Sequence, residues 1–185
     1  MTDARYERSR AAVHDAVCSV LVADGVSGLT VDRLAEASGV SRSTIYRNWP
    51  DMAALACEVF EDLMHRQPVD VSGDPAVALH EYLSDYARRL NDPVYAAVLV
   101  ALIEGSARDG AFADVHQRVF AQSSSRASDV VRSARAAGLI DRERDAQQCV
   151  EDMVAPFLYR RLVTRQLITS AQVRRLAGEL LERWA

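Results

Sequence analysis

The chain has 185 residues, of which 22 are basic and 26 acidic, and its net charge at pH 7 is −4. Hydrophobic residues make up 49% of it, which excludes a disordered tail and allows a substantial buried core. The longest apolar run, Val94 to Ile103, is too short to span a bilayer, and Cys18, Cys57 and Cys149 are too scattered for a disulfide framework. We therefore expect a cytoplasmic protein, all-α because apolar residues recur at helical spacing.

The first helical pattern runs from Ser9 to Ala23 and stops at Asp24-Gly25. Residues 1–8 before it are polar, and we predict that they are frayed. Three basic residues surround this start, namely Arg5, Arg8 and Arg10. They form either a basic arm that reaches DNA phosphates or a solvated terminus, and the sequence leaves both interpretations open.

Residues 29–50, LTVDRLAEASGVSRSTIYRNWP, contain two short helical patterns with a tight turn between them. Thr30 is a suitable N-cap for the first helix, and Gly39 suits the left-handed backbone that ends it. Ser41 can cap the second helix, which Pro50 prevents from continuing. This arrangement predicts a helix-turn-helix.

The second of these helices carries polar donors suited to phosphate oxygens or to base edges, and no acidic residue occurs from Ala37 to Pro50. This predicts a DNA-binding surface, with a polar solvated helix face as the alternative. Its candidate contacts are Arg42, Ser43, Thr44, Tyr46, Arg47 and Asn48.

The run from Leu29 to Leu55, LTVDRLAEASGVSRSTIYRNWPDMAAL, resembles the N-terminal DNA-binding domain of the TetR family of bacterial transcriptional regulators. The resemblance implies a homodimer whose paired recognition helices read a palindromic operator, with a small-molecule effector bound by the helical remainder. It also implies roles for single residues, with Thr44 and Arg47 facing bases and Tyr46, Thr30 and Ser43 holding phosphates. Met52 departs from the family, which often has a Lys at that position for a backbone phosphate.

We divide the chain into a helix-turn-helix DNA-binding domain, residues 1–50, and a helical effector-binding and dimerisation domain, residues 51–185. The first has a formal charge of 0 and the second of −4, counted from the sequence. A helix capped by Asp51 and running to about Arg66 should belong to both, so that a shift along it would move the recognition helix. A loop should follow from Gln67 to Pro75.

Further helices are predicted over the body, at about 76–90, 94–107, 111–137, 143–164 and 170–184. The second of these is nearly all apolar and should be buried on most sides, with Glu104 either a counter-charge for a ligand or solvent-facing. Pro156 should bend the fourth. The resemblance implies that the last two form the dimer interface, although the pattern alone equally allows them to complete the core of one subunit.

We expect a mainly apolar effector pocket enclosed by the fourth to eighth helices, with plain core as the alternative role for each candidate. The candidates are Phe60, Met64, Tyr86, Tyr95, Leu99, Phe112, His116, Phe120, Met153 and Phe157. No catalytic motif, metal-ligand spacing or cofactor fingerprint occurs in the sequence, so we expect no enzyme, metal or cofactor. The leading interpretation is a ligand-responsive dimeric repressor. The alternative is a cytoplasmic helical protein that binds a small molecule or a partner and whose helix-turn-helix no longer works on DNA, as the neutral domain and Met52 suggest.

Overall fold

The computed structural model describes residues 2–64, 70, 73–107 and 110–185, and every regular element in this part of the chain is helical. The predicted all-α fold with an N-terminal helix-turn-helix is confirmed. The α-helices are α1 (Thr2–Asp24), α2 (Val31–Ser38), α3 (Arg42–Asn48), α4 (Met52–Met64), α5 (Pro75–Asn91), α6 (Pro93–Ser106), α7 (Gly110–Ala136), α8 (Ala146–Leu158) and α9 (Ser170–Trp184). None of these described helices is long and apolar enough to cross a membrane.

Packing divides the described residues into two compact units. The first contains α1 to α4, α6 and the part of α7 up to Val119. The second contains α5, the rest of α7 from Phe120, α8 and α9. The helix-turn-helix thus packs with helices from far along the chain. The boundary predicted at residue 50 separates a DNA-binding domain from an effector-binding domain by function, and it stays a prediction.

In the first unit, α1 is the central helix and packs against α2, α4 and α6. It begins at Thr2, so the prediction of a frayed start is wrong for the described residues 2–8. Arg8 Nε donates to the carbonyl of Ala4 at 3.1 Å, and Arg10 is paired with two carboxylates of α4. These contacts hold the early turns of α1, and they occupy Arg10, which is therefore not part of a free basic arm.

The apolar helix α6 is less enclosed than its composition indicates. Val98 and Leu102 are fully buried, but Val100 is 48% exposed and Ile103 is 43% exposed. The prediction that this helix is buried on most sides is therefore wrong along one stripe. Glu104 follows that stripe and is itself exposed, which favours its solvent-facing interpretation.

In the second unit, α5 packs against α8 and α9. Asp74 caps α5 by accepting a hydrogen bond from the backbone N–H of Ala76 at 2.8 Å, and Pro75 takes the first helical position. Asp74 and Gly73 belong to the predicted loop from Gln67 to Pro75, most of which lies outside the described residues. The start of α5 is therefore set by local capping.

The helix predicted over residues 143–164 is shorter and changes type. It begins at Ala146, because Asp145 accepts a hydrogen bond from the N–H of Gln148 at 2.9 Å and so acts as the N-cap. The α-helical pattern ends at Leu158, and a π-helix continues over Tyr159–Val163. Pro156 lies just before this change, and a proline lacks the N–H that an α-helical hydrogen bond requires.

Candidate nucleic-acid interface

The turn between α2 and α3 is held by local hydrogen bonds. The hydroxyl of Thr30 caps α2 by accepting from the N–H of Arg33 at 3.3 Å. At the other end, Gly39 adopts a φ of 69°, in the left-handed region that favours glycine. Ser38 Oγ donates to the carbonyl of Leu34 at 2.6 Å and accepts from the N–H of Val40 at 3.2 Å. The chain therefore passes from α2 to α3 within three residues.

One buried residue determines which face of α3 turns inward, and one cap determines where the helix begins. Ile45 is fully buried and is the buried residue of this seven-residue helix. Ser41 accepts a hydrogen bond from the N–H of Thr44 at 3.3 Å and so caps the helix. Because one apolar side chain faces the core, the remaining faces are left for solvent or for a ligand.

The predicted DNA-contacting residues lie mostly on the outside. Tyr46 is 61% exposed. Thr44 and Asn48 are half-buried. The other candidates are exposed, namely Thr30, Arg42, Ser43 and Arg47. The fold thus gathers Arg42, Ser43, Tyr46 and Arg47 on one short helix as a donor surface.

Asp32 introduces an acidic group that sequence reasoning missed. Its Oδ1 lies 2.7 Å from Arg42 Nε, and both side chains are mostly exposed. Asp32 precedes α3 by ten residues and belongs to α2, so that only the angle between the two helices brings the pair together. A phosphate approaching Arg42 would compete with this carboxylate.

The predicted effector candidates are divided between the two units. The first unit contains Phe60, Tyr95, Leu99, Phe112 and His116, together with Met64, whose side chain lies outside the described part of the structure. The second contains Tyr86, Phe120, Met153 and Phe157. Phe60 and Phe112 form an edge-to-face pair with ring centroids 6.4 Å apart. A Cβ on Gly105 would lie 2.7 Å from the Phe112 ring, so glycine lets that ring approach α6 closely.

A cleft of about 590 Å³ opens in the second unit beside the π-helix. Phe157 and Leu176 supply apolar walls, and Arg160, Gln166 and Arg183 are among its polar lining residues. Of the predicted effector candidates, Phe157 is the one that contributes to this cleft. Sequence reasoning missed the polar part, because these residues come from the π-helix, the segment after it and α9.

A short helix pair with a left-handed glycine at its corner and a donor-rich outer helix defines a helix-turn-helix DNA-binding protein. Two family models match the chain: residues 15–59 match the bacterial regulatory proteins of the tetR family, and residues 69–180 match the tetracyclin repressor-like C-terminal domain. The chain belongs to the TetR family of transcriptional regulators. The resemblance to this family that residues 29–55 show is therefore confirmed.

Relatives and solved structures agree with this assignment. The chain is 26% identical over 174 residues to the uncharacterised HTH-type transcriptional regulator YdeS of Bacillus subtilis, covering 93% of this chain and 87% of that one. A TetR transcriptional regulator from Agrobacterium tumefaciens shares the fold with a TM-score of 0.74 at 20% identity, covering 95% and 94% of the two chains. The fatty acid degradation regulator FadR from Bacillus halodurans does so with a TM-score of 0.78 at 18% identity, covering 93% and 94%.

Proposed function

We propose that this regulator is a cytoplasmic homodimeric repressor, which binds a palindromic operator through two copies of α3 and leaves it when a small apolar effector binds. The exposed donor surface of α3 carries the proposal, because its own helix has no acidic residue and Tyr46 is 61% exposed. Half-sites one helical turn apart would require the two recognition helices to lie about 34–36 Å from each other.

The residues of the donor surface would make two kinds of contact with DNA, to bases and to phosphates. Arg47 and Thr44 would meet base edges, while Tyr46 and Ser43 would bind phosphates. Thr30 fits a phosphate contact as well, since its oxygen already accepts the N–H of Arg33 and its O–H remains able to donate. Arg42 and Asn48 would complete the contacts at the two ends of α3. Met52 in place of a lysine removes one anchoring charge from this set.

Exposed apolar side chains support a dimer through the C-terminal region. Tyr159, Val163 and Leu167 are each more than 60% exposed in the single chain. They lie in the π-helix that continues α8 and in the segment that leads to α9, the two helices expected at the dimer interface. Large exposed apolar side chains are typical of surfaces that another chain covers.

The effector would act by favouring one dimer geometry over another. Its proposed contacts are the ten candidates given above, among them the edge-to-face pair of Phe60 and Phe112. Most of them are apolar or aromatic, which fits an apolar ligand. The FadR of Bacillus halodurans, which shares the fold, is named for fatty acid degradation. A shift of α4 would carry the signal, since this helix directly follows the helix-turn-helix.

The experiment that tests the function compares Arg47→Ala and Tyr46→Ala with the wild-type chain on an operator duplex selected from genomic fragments. Arg47→Ala removes a proposed base contact. It should therefore weaken binding to the operator duplex by about tenfold or more and relax the sequence preference at the contacted base pair. Tyr46→Ala should weaken binding to all duplexes, because it removes a phosphate contact.

Arg132→Ala is the matched control, because Arg132 is an exposed arginine of α7 in the second unit and pairs with Asp129. It should leave operator affinity unchanged. Unchanged binding by both α3 variants, with circular dichroism showing that they are folded, would refute the assignment of the reading helix. A wild-type affinity that does not fall as salt rises would favour the alternative, a partner-binding protein with an inactive helix-turn-helix.

A further inference from the structure

A cluster of charged and aromatic side chains connects α1, α4 and the end of α3, and none of its members belongs to the proposed donor surface. Glu58 of α4 is at its centre. Its Oε2 accepts a hydrogen bond of 2.6 Å from Trp49 Nε1, and its Oε1 is paired with Arg10 Nε. We call Glu58, Trp49 and Arg10, together with His14 and Asp62, the clamp.

Asp62 and His14 complete the clamp on the α1 side of Glu58. Asp62 Oδ2 lies 2.6 Å from Arg10 Nη2 and 3.2 Å from His14 Nδ1. His14 Nε2 lies 3.3 Å from Glu58 Oε1. Arg10 and His14 come from α1 and both carboxylates come from α4, so basic side chains of one helix meet acidic side chains of the other.

The charge on Glu58 is favoured by its surroundings. Burial of the carboxylate acts to raise its pKa, but the hydrogen bonds from Trp49 and Arg10 and the charges of Arg10 and His14 outweigh burial and lower the pKa. The carboxylate is therefore ionised at neutral pH, and its hydrogen bond from the Trp49 indole is charge-assisted. Such bonds are shorter and roughly twice as strong as bonds between neutral groups.

Trp49 is the residue through which the clamp reaches the recognition helix. It is the C-cap of α3, its backbone N–H donates to the carbonyl of Ile45 at 2.9 Å, and its side chain is only 3% exposed. A helix of seven residues has little stability of its own, so its direction depends on what holds its two ends. Ser41 holds the first end through its hydroxyl, and the Glu58 carboxylate holds the second end through Trp49.

We propose that Glu58 is a positioning residue for DNA reading: through Trp49 it sets the angle at which α3 presents Arg47 and its neighbours, without touching DNA itself. This inference rests on the proposed function, and it assigns to α4 and α1 a share of operator specificity. Non-specific binding depends on charge and tolerates changes in angle, whereas base contacts require side chains to be placed within fractions of an ångström.

A double-mutant cycle of Trp49→Phe and Glu58→Ala tests the inference. The dissociation constants are measured for the selected operator and for a random duplex of equal length, each corrected for the active protein fraction. The unfolding free energies of the same four chains are measured in urea. Each single variant should reduce the ratio of operator to random-duplex affinity by about tenfold, the scale of one hydrogen bond to a charged group. The double variant should lose little more, because both changes remove the same bond.

Two further variants separate positioning from plain stability. Glu58→Gln keeps an oxygen that can accept from the Trp49 indole but loses the charge that strengthens this bond, so its discrimination should lie between that of Glu58→Ala and that of the wild type. Glu61→Gln makes the same charge change on α4, but Glu61 pairs with Arg118 at 3.1 Å, so discrimination should stay at the wild-type value.

The two substitutions could be coupled in the unfolding free energy while every variant keeps the wild-type ratio of operator to random-duplex affinity. That result would overturn the positioning role. A wild-type chain that prefers no duplex would overturn the proposed function and this inference with it. A wild-type preference that Trp49→Phe and Glu58→Ala both leave intact would overturn the inference alone.

Discussion

Gly39 shows how far a single residue determines the geometry of the interface. Its φ of 69° turns the chain from α2 into α3, and no heavy atom beyond Gly39 and its two chain neighbours lies within 4 Å of the position a Cβ would take. The demand for glycine is therefore conformational and does not come from crowding. Sequence reasoning could identify this position, because the conformational cost of a left-handed residue is local.

We predict that Gly39→Ala lowers the unfolding free energy by about 1 kcal/mol, since an L-residue with a side chain is strained at this φ. Urea denaturation monitored by circular dichroism measures the change. Gly178→Ala is the matched control, because Gly178 is exposed within α9, has no left-handed φ and also has no atom within 4 Å. It should raise stability by about 0.5–1 kcal/mol, as alanine favours a helix interior. Equal effects of the two substitutions would contradict the conformational explanation.

Reasoning from single residues missed ion pairs whose two members lie on different helices. The absence of acidic residues from Ala37 to Pro50 supported the prediction of a DNA-binding surface, yet the carboxylate of Asp32 lies beside Arg42. Similarly, the sequence left open whether Arg10 belongs to a basic arm or to a solvated terminus, whereas in the structure it is paired with Glu58 and Asp62. Both pairs depend on helix packing, which residue spacing along the chain does not specify.

At the scale of elements, apolar periodicity placed some helix starts closely, and local caps or packing determined others. The starts predicted for α5 and α9 lie within one residue of those in the structure, where Asp74 and Thr169 cap the two helices. The helix expected from Glu143 instead begins after the Asp145 cap and passes into a π-helix after Pro156. Proline forbids one hydrogen bond, but it does not specify which helical pattern follows it.

The segment before α9 is held by a side chain of α5. Asn91 Nδ2 donates to the carbonyl of Ile168 at 2.8 Å, and Asn91 Oδ1 accepts from the N–H of the same residue at 2.9 Å. This pair satisfies the backbone of a residue that is buried and belongs to no regular element. We therefore regard Asn91 as the anchor that places the start of α9 against α5.

Asn91→Ala should lower the unfolding free energy by about 2 kcal/mol, because it leaves two partly buried backbone groups without their partner. Hydrogen exchange should show faster exchange of the Ile168 amide in this variant. As a control, Gln147→Ala removes an exposed side chain that contacts Glu151 at 3.2 Å, and it should cost less than about 0.5 kcal/mol. Wild-type protection of the Ile168 amide in Asn91→Ala would refute the anchor.

At the scale of the whole molecule, the proposed dimer depends on apolar surface that the single chain leaves uncovered. Tyr159, Val163 and Leu167 follow one another along the π-helix and the next segment, beside a cleft lined by Phe157 and Leu176. In a two-fold dimer the same surface of each copy meets the other, so one substitution alters the interface twice.

We expect Val163→Glu to convert the dimer into a monomer, because two added carboxylates would be buried close to each other without partners. Sedimentation equilibrium would show the mass halved while circular dichroism remains helical. Val77→Glu is the control, since Val77 is similarly exposed but lies on α5. It should leave the dimer intact. A Val163→Glu chain that remains a dimer would place the interface elsewhere. A wild-type chain that is a monomer at working concentration would refute the dimer.

Local sequence was enough to establish the all-α fold, the helix-turn-helix and the family, because caps, glycine turns and helical periodicity act over a few residues. Tertiary structure alone decided that α6 packs with the helix-turn-helix unit, that Asp32 pairs with Arg42, and that Glu58 ties Trp49 to α1. These features join residues between nine and about ninety positions apart, and their distances are set by the packing of whole helices. The residues that we propose to read DNA were therefore visible in the sequence, whereas the residues that we propose to hold them at their angle were not.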